Sequence, residues 1–255
     1  NDAAVIYPCR DSTNGVWSTA ACAEPSGGAL HFYSAGEPRV TDCELSNSTG
    51  SLGGAVAAVA KTRLLMSECT LSDNRAAIGG AVRVTLAKLV SNNNVYVANQ
   101  AEQSGGALFF LSATASLTGD EVSRNRVPGA GGAGGGLDSS GSTVTIRQSH
   151  LLSNVAENLG GALSMGASST LTIDGAEIEH NSATSGGGIA LQASTLKCER
   201  SSEDESASGG CNLRHNAASN SGGGLFVKSA THLDIADSEI PDNPADPGGG
   251  VFADL

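Results

Sequence analysis

Aromatic residues are scarce in this sequence. One Trp, three Tyr and five Phe make up 4% of 255 residues, against 39% hydrophobic residues overall. Such a chain can bury a long, narrow core of Val, Leu, Ile and Ala, but no broad globular one. Positive charge is also short: 14 Lys and Arg face 26 Asp and Glu, a formal net charge of −12. Nucleic acids and anionic membranes both attract a basic face, so this balance argues against either as a partner. No apolar run approaches the ~18 residues that suggest a membrane span, and direct membrane insertion is not expected. Asn1 stands in place of an initiator Met and no signal-peptide pattern follows it, so the chain is expected to be processed or cut from something longer.

Glycine is abundant, and it recurs in phase. Two glycines, a small residue and an aliphatic open successive segments at Gly27, Gly53, Gly79, Gly105, Gly134, Gly160, Gly186, Gly222 and Gly248, at intervals of 26, 26, 26, 29, 26, 26, 36 and 26 residues. A second signature precedes most of them: an aliphatic, two residues, Asn, one residue, Ala. It reads Leu71-Asn74-Ala76, Leu151-Asn154-Ala156, Ile178-Asn181-Ala183, Leu213-Asn216-Ala218 and Ile240-Asn243-Ala245. Val122-Asn125 is followed by Val127 instead, and Asn47 and Asn99 read as one place early. Two linked signatures at one fixed period mean a solenoid.

The pattern inside one repeat identifies the solenoid. Leu171 and Ile173 are two apart, a gap of three follows, and Ala176 and Ile178 are again two apart. That is the period of short strands separated by a bend, not of a helix. A further strand follows the glycines at Ala162–Met165. Three short strands in about 26 residues predict an all-β chain: a right-handed, three-faced, pectate-lyase-like parallel β-helix of eight to nine coils, each strand pairing with its counterpart one turn on. The glycines would permit a tight corner. Asn74, Asn125, Asn154, Asn181, Asn216 and Asn243 would stack their amides as a ladder.

Departures from the repeat set the domain plan. Residues 1–26 do not fit it and read as an N-terminal cap, pinned by a Cys9–Cys22 disulfide. Residues 27–255 form the β-helix. Cys43 and Cys69 fall 26 apart in one inward column, which suits either a disulfide or two buried thiols. An acidic insertion at 198–211 is an excursion that a Cys198–Cys211 disulfide would close, worth about 3 kcal/mol by the chain-entropy model. Glu199, Glu203, Asp204 and Glu205 there are a solvated loop or a Ca2+ site. Six cysteines in three sensible pairs point to an oxidising compartment, hence an extracellular or cell-surface place reached by a secretory or periplasmic route. Asn47-Ser48-Thr49 is a glycosylation sequon. The ninth glycine pair opens a coil that Leu255 ends after one strand, so other copies or domains are expected on the C-terminal edge.

Candidate chemistry is thin. The outward column after each glycine pair reads His31, Ala57, Arg83, Phe109, Asp138, Ser164, Ala190, Phe226 and Phe252. It contains no paired carboxylates and no Asp-Arg-Lys group, as a polysaccharide hydrolase or lyase on this fold would use. Arg83, Phe109 and Asp138 on successive coils are the candidate binding patch, suited to stacking on a sugar. His180 and His215 fall in neighbouring coils without a third metal ligand in line; they, Asp120 and His232 read as surface groups. Thr143/Thr145 and Thr170/Thr172 form a small outward Thr array, which the flanking pairs Ala115/Leu117 and Thr195/Lys197 are expected to end at two coils. Calcium-binding nonapeptide repeats are absent.

The GGAL, GGAV, GGGL and GGGI segments, with the Leu-x-x-Asn-x-Ala signature, resemble the GGA[ILV] and FxxN repeats of chlamydial polymorphic outer membrane proteins, which are autotransporter-type adhesins. The resemblance spans residues 27–251, with Leu, Ile or Val where those repeats carry Phe. It implies a β-helix exposed at a surface, binding surface proteins or glycans. The sequence thus reads as a non-catalytic structural or adhesive module, with a carbohydrate-active enzyme or glycan-binding module as the alternative.

Overall fold

The computed structural model describes residues 28–200, 209–229 and 232–254. The expected N-terminal cap with Cys9 and Cys22, and most of the acidic loop, lie outside the described residues. The described residues wind into a right-handed parallel β-helix of about eight turns without a helical segment. Hence no helix among them is long and apolar enough to cross a membrane.

The three strands expected in each coil are present, and a fourth short one joins them between the Asn signature and the glycine pair. Four all-parallel sheets result, of nine, eight, seven and seven strands. The first runs from Leu30–Tyr33 to Val251–Asp254 and carries the strands after the glycine pairs. The second runs from Arg39–Thr41 to His232–Ile235, the third from Glu44–Ser46 to Cys211–Arg214, and the fourth from Thr49–Leu52 to Ala217–Ser221. In the fourth, Arg126–Val127 and Val155–Ala156 are only two residues long. Like stacks on like: Leu64, Leu89, Ala115, Val144, Leu171 and Leu196 form one inward file, and Leu71, Tyr96, Val122, Leu151, Ile178 and Leu213 another. All twelve are at most 2% exposed.

The corner between the third and fourth sheets holds the asparagine file. Residues at positive φ make the bend, among them Asp73, Ala98, Arg124, Ser153, His180 and His215. The next residue turns inward. Asn74, Asn99, Asn125, Asn154, Asn181, Asn216 and Asn243 stack there, and the first six are wholly buried. In each step the lower residue's backbone N–H and side-chain Nδ2 both donate to the Oδ1 above, at 2.8–3.1 Å. Each Nδ2 also donates to a main-chain carbonyl of the coil below, as Asn154 does to Val122 at 2.8 Å. Asn99, read from sequence as displaced, belongs to this file. Its six-residue distance to the next glycine pair is shared by Asn154 and Asn216, and its coil differs in carrying Tyr96 where the others carry an aliphatic. In the first coil Ser48 takes the ladder place, donating its N–H to Asn74 Oδ1, and Asn47 occupies the exposed positive-φ bend.

The corner between the second and third sheets is more varied. Its inward column reads Cys43, Cys69, Asn94, Asp120, Ser149, Ala176, Cys211 and Ser238. The Cys43 and Cys69 sulfurs lie 3.1 Å apart as neighbouring thiols. Cys198 and Cys211 form a disulfide that joins strands of one coil at the foot of the insertion.

Asp120 is not a surface group: it is 1% exposed, in the middle of this column. Its Oδ1 accepts from the Asn94 N–H at 2.7 Å, whereas Oδ2 has no hydrogen-bond partner. One coil below, the Asn94 Nδ2 donates to the Met66 carbonyl, and Ser91 is the residue paired with Met66. An amide at Asp120 would have the matching donor, and a carboxylate has none. Burial therefore pushes the Asp120 carboxyl up from 3.8 to about 6, partly opposed by hydrogen bonds from Asn94 and Ser91. Because the folded value lies above the unfolded one, the group's contribution is complete below about pH 4 and is lost as pH rises through about 6. Asp120→Asn is expected to stabilise the protein at pH 7 by about 2–3 kcal/mol. Urea unfolding of both proteins from pH 4 to pH 8 checks this. The gap should open between pH 4 and 6, and a pH-independent difference would contradict the assignment.

Candidate functional site

The candidate site lies on the outer side of the first sheet. Five of its strands differ from those of the second sheet in being buried on both faces, while the strands of Arg83 and Asp138 keep those two side chains half-buried. Val56–Val59 reads buried, buried, buried, intermediate, whereas Arg63–Ser67 alternates between exposed or intermediate and buried. The cause is the glycine corner. Gly79, Gly105 and Gly134 have positive φ, and a Cβ on them would lie 3.3, 3.1 and 2.7 Å from the Cβ atoms of Arg83, Phe109 and Asp138 respectively. The corner thus folds back over the outward column and makes a concave seam along the axis.

Pairing sets His31, Ala57, Arg83, Phe109, Asp138, Ser164, Ala190, Phe226 and Phe252 in one file along that seam. Ala57, Ser164 and Ala190 are buried within it, and Phe109 and Phe226 are each 9% exposed. The Arg83 guanidinium sits over the Phe109 ring, 5.7 Å from its centroid, and its Nε donates to Thr85 Oγ1 at 3.1 Å. Burial lowers the Arg83 pKa from its ordinary value. Phe226 and Phe252 stack in parallel at 5.8 Å.

Asp138 is the acid of the seam. Desolvation raises its carboxyl from 3.8 to about 6, against hydrogen bonds from Ser164, Ser104 and the Ser139 backbone N–H that favour the anion. Ser104 immediately precedes Gly105, so the opposite wall of the seam comes from the chain entering the glycine corner. Sequence reading did not include this serine. Its signal was the residue before each glycine pair, a column that also holds Ile78, Ala133, Leu159 and Ser185. Arg83 and Asp138 stand two strands apart, about 10 Å, and no ion pair joins them among the described residues.

What the seam can do chemically follows from its inventory. One carboxyl, one guanidinium, hydroxyls, aromatic edges and, four strands from Asp138, the His31 imidazole offer directional hydrogen bonds beside flat apolar surface, the composition of a binding groove. A glycosidase needs two carboxyl groups roughly 5–10 Å apart across the bond to be cleaved. The strand neighbours of Asp138 are Phe109 and Ser164.

Elsewhere, the His180 and His215 rings stack at 5.1 Å, and no set of three or more His, Cys, Asp or Glu able to hold a metal occurs among the described residues. Glu203, Asp204 and Glu205 of the acidic loop lie outside the described residues. Glu199 is described, and it pairs with Lys197.

A family model for the right-handed β-helix region matches residues 9–197. The chain belongs to the right-handed β-helix family. No match was found among curated proteins or among solved structures. Within this right-handed β-helix, the match runs from before the first described coil to the strand that ends at Cys198.

Proposed function

We propose that this right-handed β-helix is a non-catalytic structural or adhesive module of an extracellular or cell-surface protein, a stiff rod of the kind the chlamydial surface repeats suggest. One observation carries the reading: the asparagine file and the in-register sheets run through coil after coil, while the seam sets a single carboxyl beside Phe109 and Ser164, with no second acid or base next to it. Rigidity is built into each described coil, which supports a mechanical role.

The test uses the full 255-residue chain, incubated with acidic and neutral polysaccharides from pH 4 to pH 8. Neither new reducing ends nor unsaturated products should form above the blank. Turnover that Asp138→Ala abolishes would overturn the proposal and install a carbohydrate-active enzyme in its place.

A glycan-binding role is the second reading, favoured by the Arg83–Phe109 stack next to Asp138 in a concave groove. It is distinguished by glycan retention without turnover that Phe109→Ala removes.

A further inference from the structure

The second sheet presents an outward face that differs from the rest of the rod. Pairing places Thr114, Thr143, Thr170 and Thr195 in one file across four consecutive strands, and Ser116, Thr145 and Thr172 in the next file, two residues along. The expectation that the array ends after two coils is corrected here. Ala115 and Leu117 are inward residues of the 114–118 strand, 2% and 0% exposed, and the outward pair beside Thr143 and Thr145 is Thr114 and Ser116. Lys197 ends only the second file.

Seven hydroxyls therefore form a two-column grid. Its spacing is fixed by the backbone: about 4.8 Å between strands and about 6.6 Å between alternate residues of one strand. The six threonines carry a methyl beside each hydroxyl, and β-branching restricts χ1. Beneath the grid, Val144, Ile146, Leu171, Ile173 and Leu196 are wholly buried, so the sheet rests on a packed core. The hydroxyls of Thr114, Ser116, Thr143, Thr145, Thr170 and Thr172 make no hydrogen bond to another of the described residues. Charge appears only at the borders: Lys88 below, Lys197 above, and the Arg147–Asp174 pair at 3.7 Å along one side.

We propose that this Thr/Ser face is an ice-binding surface. Dissolved ligands are held by convergent groups in concavities, whereas this face is an outward sheet surface, uncharged within the grid, periodic in two directions, and made of methyls and hydroxyls, with an open depression only at its Lys88–Thr114 border. The partner that fits is itself a periodic solid of hydrogen-bonding sites. Crystalline water is such a solid, and its oxygens repeat on the scale of one strand separation in one direction and of one alternate-residue step in the other. Water held on the grid between methyl groups would join that lattice. The role is independent of the adhesive reading and uses a different face from the seam. Four strands give a patch roughly 14 Å long, so slowed recrystallisation is expected rather than a large depression of the freezing point.

The test is growth of ice grains in a frozen sucrose solution containing the full chain. The wild type should hold grain size, and Thr145→Lys or Thr172→Lys, made singly, should raise the required concentration roughly tenfold, equivalent to about 1.4 kcal/mol of adhesion. Val155→Lys on the fourth sheet should leave it unchanged. Circular dichroism reports folding of each variant, and either Thr variant suffices if the other fails to fold. No effect of the wild type on grain growth, or an effect that both folded Thr variants retain, overturns the proposal.

Discussion

Asn154→Ala is expected to lower the unfolding free energy by about 4 kcal/mol, a fall in Tm of about 10 °C. The Asn154 Nδ2 donates to the Val122 carbonyl and to Asn181 Oδ1, while its own Oδ1 receives the N–H and Nδ2 of Asn125 at 3.0 Å each. Truncation takes the shared acceptor from the Asn125 N–H and Nδ2 inside a dry column and leaves the N–H without a partner. Such an orphan costs about 1–3 kcal/mol, and the vacated volume adds to that. Asn125 and Asn181 then lose the neighbour that orients them, so the effect reaches the coils above and below. Differential scanning calorimetry or urea unfolding checks it. A change within about 0.5 kcal/mol, the range of ordinary surface substitutions, would mean that the file is ornament.

Gly106→Ala should be worse still, costing more than about 4 kcal/mol, and the protein should fail to accumulate in folded form at 37 °C. A Cβ on Gly106 would lie 2.0 Å from the Gly135 carbonyl oxygen of the next coil and 2.7 Å from the Arg126 nitrogen. Both are main-chain atoms, so no side chain can swing aside. Two coils would have to separate, breaking the Gly106 N–H to Gly134 carbonyl bond at 2.9 Å on the way. Soluble yield and proteolytic resistance measure it. A stable folded Gly106→Ala protein would show that the corner has slack that the close approach denies.

The architecture was legible because its determinants repeat. Leu171, Ile173, Ala176 and Ile178 give strand spacing and inward direction in one line of text, and the same columns recur coil by coil. What stayed hidden depended on alignment between coils, which one insertion or deletion upsets. Asn99 read as out of place because Tyr96 replaces the aliphatic that precedes the other asparagines, yet its position three residues after that inward side chain matches the other coils. The Thr grid was cut short because the 29-residue interval hid the pairing of Thr114 with Thr143, and inward Ala115 and Leu117 were taken as its outward neighbours. Asp120 looked like an ordinary surface acid because acids usually are. Nothing local announces that the neighbouring coils place Asn94 and Ser149 in its column. The concavity of the seam was equally silent, since alternation predicts one exposed face, and only the backward fold at Gly105 and Gly134 buries Phe109. The Cys198–Cys211 bond was legible because an insertion that leaves and re-enters the core brings its two ends together.

Because each storey leans only on the ones directly above and below, length is a free variable in this design. Removing everything from Gly134 to Leu159 would join Ala133 to Gly160, the same junction that Leu159 makes now, and the stack would close one step shorter with its amide file intact. Recombination between coding repeats would deliver such changes in a single event. A lineage carrying this rod can therefore tune its reach by copy number, while selection on any single storey acts on the few side chains it shows to the outside.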